Sequence, residues 1–77
     1  MANVTIYTTP TCVYCKMAKD FFDKNNVPYT EKDVVADSAA RDAMIAKSGQ
    51  MGVPVIDIDG KLTIGFDQPR IKELLNL

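Results

Sequence analysis

The sequence predicts an α/β fold in which four short strands form one mixed sheet flanked by three helices, in the order βαβαββα. Three observations carry this. The β-branched run Val4-Thr5-Ile6-Tyr7-Thr8 precedes a stretch whose apolar residues recur at three and four, and a second β-rich run follows. That is the pattern of a right-handed βαβ unit with parallel strands. Asp59-Gly60 separates Val55-Ile56-Asp57-Ile58 from Lys61-Leu62-Thr63-Ile64, a strong hairpin signal. With 77 residues, 47% apolar and no low-complexity tract, the chain (residues 1–77) reads as a single domain.

The first strand, Asn3 to Thr8, ends at Pro10. From Val13 to about Asn25 the positions Tyr14, Met17, Ala18, Phe21 and Phe22 form one apolar stripe, so a helix with Met17 in the core is expected. Tyr14, near the helix tip, fits either the core or the rim. Asn25-Asn26 and Pro28 stop that helix, and Tyr29 to Val35 reads as the second strand. Asp37 or Ser38 caps a second helix through Ala40, Ala43 and Met44, which stops at Ser48-Gly49. Gln50-Met51-Gly52-Val53-Pro54 leads into the hairpin. Gly65-Phe66-Asp67-Gln68-Pro69 then opens the last helix, with Asp67 or Gln68 as cap, Pro69 in the first turn and Ile71, Leu74 and Leu75 on the buried edge.

Nine basic and ten acidic side chains nearly cancel, so no long-range field draws the chain to nucleic acid or an anionic membrane. The start, Met-Ala-Asn-Val-Thr, lacks a basic segment followed by an apolar one, and no apolar run reaches membrane-spanning length. A cytoplasmic location and a monomer are the expectation.

Cys12 and Cys15, in Thr11-Cys12-Val13-Tyr14-Cys15, are the only cysteines, placed where the first strand gives way to a helix. A sulfur there meets the free N–H groups and positive dipole end of the first turn, which favour an anion. In such Cys-X-X-Cys settings a thiol pKa falls from about 8.5 to roughly 7 or below, and the thiolate is the attacking species. Lys16 and Lys19 follow, and the first nineteen residues hold no acid. Three plainer readings compete. A disulfide across so short a loop would constrain the unfolded chain little. Two cysteines without histidine cannot complete a tetrahedral Cys/His zinc site within one chain, so no metal is expected. The pair could also simply pack as small hydrophobes. A redox dithiol accounts best for the spacing and its place. Gly65 and the last helix N-terminus form a second candidate anion site.

With Cys12-Val13-Tyr14-Cys15 after a strand, Gly52-Val53-Pro54 before the third and Gly65-Phe66-Asp67 after the fourth, the chain resembles the glutaredoxins of the thioredoxin superfamily. The likeness runs from Asn3 to Leu75. It implies a thioredoxin-like fold, Cys12 as nucleophile and Cys15 as resolving thiol. Pro54 matches the family's cis-proline, which sets the Val53 backbone to pair with an extended substrate. Gly65 and Asp67 match the pocket for the γ-glutamyl end of glutathione, with Tyr14 and Phe66 beside it. Where family members usually carry lysine or arginine this chain has Thr8, so Lys16, Lys47 or Gln50 would contact the glycyl carboxylate. Val13 stands where proline is usual, and Phe66 replaces a small residue or cysteine.

The resemblance implies a thiol-disulfide oxidoreductase acting on protein or glutathione mixed disulfides, with no bound cofactor and glutathione as reductant or co-substrate. Val13 and Phe66 are similar to NrdH-type redoxins, which are reduced by thioredoxin reductase and donate electrons to ribonucleotide reductase. A third alternative is an iron–sulfur cluster carrier, in which the Cys12 thiolates of two subunits and two glutathiones hold the cluster.

Overall fold

The computed structural model describes residues 3–50 and 52–76. Met1, Ala2 and Met51, read above as part of the chain start and of the loop before the hairpin, lie outside the described residues. Strand β1 (Val4–Thr8), helix α1 (Val13–Lys24), β2 (Thr30–Asp33), α2 (Ser38–Ser48), β3 (Val55–Ile58), β4 (Lys61–Ile64) and α3 (Gln68–Leu75) follow in that order. The sheet order is β2-β1-β3-β4, with β1 parallel to β2 and antiparallel to β3, and β3 antiparallel to β4.

Because successive side chains of a strand point to opposite faces, β1 and β3 divide the core in two. Val4, Ile6, Ile56 and Ile58 face α1 and α3, where they meet Ala18, Phe21, Phe22 and Ile71. Tyr7 and Val55 face α2 and meet Ala40 and Met44. The sheet is thus covered on both sides. The two central strands are largely apolar, with Thr5, Thr8 and Asp57 as exceptions, while the β2 edge carries Glu31, Lys32 and Asp33, which discourage pairing with another chain.

Local chemistry sets the ends. Asp37 caps α2 by accepting from the Ala40 N–H at 3.1 Å, and Asp67 caps α3 by accepting from the Arg70 N–H at 3.3 Å. At the hairpin, Asp59 and Gly60 both have positive φ (52° and 88°), the geometry of a type I′ turn. The Asp57 carboxylate accepts from the Gly60 N–H at 2.8 Å and completes it.

Two expectations are corrected. Met17 is 45% exposed, because the inward stripe of α1 is Cys15, Ala18, Phe21 and Phe22, about one position round the helix from Tyr14 and Met17. The second strand ends at Asp33 rather than Val35, because the Asp33 carboxylate accepts from the Val35 and Ala36 N–H groups and turns the chain.

Thr63 is buried opposite Ile56 on β4, and its hydroxyl has no hydrogen-bond partner among the described residues. Replacing it by valine removes an unsatisfied polar group from the core. Thr63→Val should therefore gain about 1 kcal/mol, read as a higher urea midpoint at unchanged slope.

Candidate functional site

Strand β1 carries the chain up the middle of the sheet and releases it at Thr8. Thr9, Pro10 and Thr11 turn it, with the Cys12 N–H bonding to the Thr9 carbonyl at 3.3 Å. Cys12 is the N-cap of α1, with extended backbone (φ −85°, ψ 113°). Its Sγ accepts from the Cys15 N–H at 3.1 Å, filling the place a Ser or Asp oxygen usually takes at a helix start. No acid lies in that first turn, so the dipole end is not offset by a neighbouring carboxylate.

The two sulfurs are unequal. Cys12 is half-buried and borders a cleft of about 330 Å³, whose walls include Thr9, Val13, Lys16, Lys19 and Glu31. Cys15, one turn inside, is 1% exposed. Burial, reinforced by a hydrogen bond with Cys12, pushes the Cys15 thiol up to about 12, against an ordinary 9.0. Cys15 therefore keeps its proton near neutrality. Only Cys12 is placed to meet a bulky disulfide.

The other expected site residues fall into two groups. The Val53–Pro54 peptide is cis, as the resemblance implied, and the Gly65 N–H donates to the Pro54 carbonyl at 2.8 Å. That bond joins the Val53-Pro54 segment to Gly65-Phe66-Asp67, with Gly65 at φ 80°, where a side chain would be strained. Phe66 turns partly inward, edge-on to Phe21 with ring centroids 5.9 Å apart. Tyr14 takes the rim, 62% exposed, beside Val13 at 69%.

Of the proposed carboxylate contacts, Lys16 lines the cleft with Cys12. The other two are engaged elsewhere. The Lys47 ammonium donates to Asp57 at 3.0 Å and to the Tyr7 hydroxyl at 3.3 Å, and these bonds raise its pKa. The Gln50 amide makes bonds of 2.8 and 3.0 Å with the Gly52 N–H and C=O.

A cluster absent from the sequence reading sits on the β2 side of the cleft. The Glu31 carboxylate accepts from the Lys19 ammonium at 2.8 Å and from the Thr8 hydroxyl at 3.0 Å. Lys19 holds Glu31 below the usual carboxylate range, with Thr8 adding to it, while Glu31 raises Lys19. Thr8, where the resemblance implies a cation in relatives, is buried and spends its hydroxyl here. The spacing of Cys15 and Lys19, one turn apart on α1, was the available signal. The partner Glu31 depends on the pairing of β1 with β2.

Among the described residues, no three or more His, Cys, Asp or Glu side chains converge to hold a metal ion. Nor is any described helix long and apolar enough to cross a membrane.

A family model described as glutaredoxin matches residues 4–63. The chain is 39% identical over 72 residues to an uncharacterized glutaredoxin-like 8.6 kDa protein in the rubredoxin operon of Clostridium pasteurianum, spanning 94% of this chain and 96% of that one. It is 42% identical over 67 residues to glutaredoxin 3 of Escherichia coli K12, spanning 87% and 81%. Among solved structures it superposes on a mutant of the thioredoxin-like protein BC3987 with a TM-score of 0.92 and 36% identity, over 99% and 97% of the two chains. It superposes on the NrdH-redoxin of Escherichia coli, described as a glutaredoxin-like protein with a thioredoxin-like activity profile, with a TM-score of 0.85 and 26% identity, over 94% and 93%.

Because Cys15 holds its proton more tightly folded than unfolded, its contribution to stability is complete below pH 9.0 and is lost as pH rises toward about 12. The reduced protein should thus lose stability across that alkaline window more steeply than Cys15→Ala. Parallel urea melts of the two at successive pH values check this, with the difference flat at neutral pH.

Proposed function

This chain belongs to the glutaredoxin family of thiol oxidoreductases, and from that premise we propose that it reduces protein or glutathione mixed disulfides. One observation carries the reading: an accessible sulfur caps a helix, and a buried, protonated one waits a turn behind it. The Cys12 thiolate attacks the disulfide, displaces one sulfur as a thiol and retains the other as a mixed disulfide. Cys15 or a second glutathione then releases the product. No bound cofactor takes part, and glutathione serves as reductant or co-substrate. A reducing cytoplasm is the compartment that suits such a dithiol.

In this reading glutathione lies against Val53 and Pro54, its γ-glutamyl end at Gly65 and Asp67 and its glycyl carboxylate toward Lys16. The Gly65–Pro54 hydrogen bond supports this by holding those segments together, and the place of Lys16 beside Cys12 supports it too. A second reading, reduction by thioredoxin reductase with ribonucleotide reductase as acceptor, is favoured by apolar Val13 and Tyr14 standing exposed next to Cys12. A protein partner would cover such a surface. The engagement of Lys47 and Gln50 elsewhere points the same way.

Turnover with NADPH, glutathione reductase and glutathione, set against NADPH and thioredoxin reductase, separates the two. The first system should sustain the higher rate; turnover with thioredoxin reductase alone would overturn glutathione dependence. Cys12→Ser should lower the rate by roughly 10³-fold or more in both systems, whereas Cys15→Ser should keep monothiol activity with glutathione. Equal loss from both substitutions would contradict the division of labour.

A further inference from the structure

We propose that Lys19, anchored by Glu31 and one turn from Cys15 on α1, is a positioning residue for the second half of the exchange: its ammonium supports the Cys15 sulfur as it closes on the Cys12 mixed disulfide, more than it supports the first attack. The inference rests on the thiol-exchange reading above and adds a role for a cluster that reading does not use.

Cys15 and Lys19 are four residues apart on α1 and share one face of it. Cys15 points into the core, whereas Lys19 reaches over β1 to Glu31 at 2.8 Å. The Thr8 hydroxyl holds the same Glu31 oxygen at 3.0 Å, so the ammonium is fixed along the cleft onto which Cys12 opens. The titratable groups around this place are Cys12 and Lys16 from α1, Glu31 and Asp33 from β2, and Tyr29 just before it. From β3 and α3, packed on the same side, come the apolar Ile56 and Ile71.

Burial, then the hydrogen bond and the charge of Cys12, hold the proton on Cys15; a backbone hydrogen bond from Thr9 and the charge of Lys19 work against them. Once Cys12 is tied up in a mixed disulfide its sulfur is neutral, so both Cys12 influences lapse while Lys19 remains. The attacking sulfur thus adds to burial in keeping its partner protonated, and that addition lapses in the mixed disulfide. In the step itself Cys15 gives up its proton to water and its sulfur attacks the Cys12 sulfur. The bond from Cys12 to the substrate sulfur breaks as the Cys12–Cys15 bond forms. The departing sulfur leaves reduced, as a thiolate that takes up a proton, and the cysteine pair is oxidised by two electrons.

Stopped-flow reaction of the reduced protein with the aromatic disulfide dithiobis-nitrobenzoate resolves both halves, since attack by Cys12 and closure by Cys15 each release one coloured thiolate. In Lys19→Met the second phase should slow by about three- to tenfold near neutral pH and its pH profile should move upward. The first phase should slow less than the second, and Lys19→Arg should restore the second. A second phase unmoved in Lys19→Met, equal slowing of both phases, or no rescue by arginine would overturn the inference. Absence of a first phase in the unsubstituted protein would instead overturn the thiol-exchange reading itself.

Discussion

The hydrogen bond from the Cys15 N–H to the Cys12 sulfur is the contact on which the rest of the molecule converges. A helix start leaves backbone donors unsatisfied, and something must accept from them. Here the acceptor is a sulfur, so the group that ends the loop is also the group that does the chemistry. Strand β1 brings the chain to this point through the centre of the sheet, and α1 leaves it with Cys15, Ala18, Phe21 and Phe22 pressed onto the core. The packing of that stripe fixes the helix axis. The axis in turn fixes where the first N–H groups point.

The same packing separates two sulfurs only three residues apart in sequence. One faces a cleft and backbone donors, the other the apolar interior, and the difference in surroundings assigns their order of action. A symmetric pair would have no preferred nucleophile. Beside them the Thr8, Glu31 and Lys19 cluster ties three elements together across the end of the sheet. It holds a positive charge along the cleft that Cys12 borders.

Features legible in the sequence are those set by near neighbours. The Asp59-Gly60 turn, the Asp37 and Asp67 caps, and the place of Cys12 and Cys15 all depend on a few consecutive residues. Features set by distant partners were not legible. Three-and-four spacing defines a stripe without stating which edge of it faces inward, so Met17, expected in the core, stands exposed. Glu31 meets Lys19 only once β1 and β2 are paired in register, with Ile6 opposite Glu31. Lys47 reaches Tyr7 and Asp57 only once α2 is packed against the sheet. Gln50 closes on Gly52 two residues away, a local bond, but so adaptable a side chain does not disclose which neighbouring group it takes.

The central claim is that the cap sulfur, and not the buried one, makes the first bond to substrate. Reacting reduced protein with excess disulfide, quenching in acid within the first turnover and mapping the adduct by mass spectrometry tests it directly. The account predicts the substrate sulfur on Cys12, followed in time by the Cys12–Cys15 disulfide. A first adduct on Cys15 would contradict it.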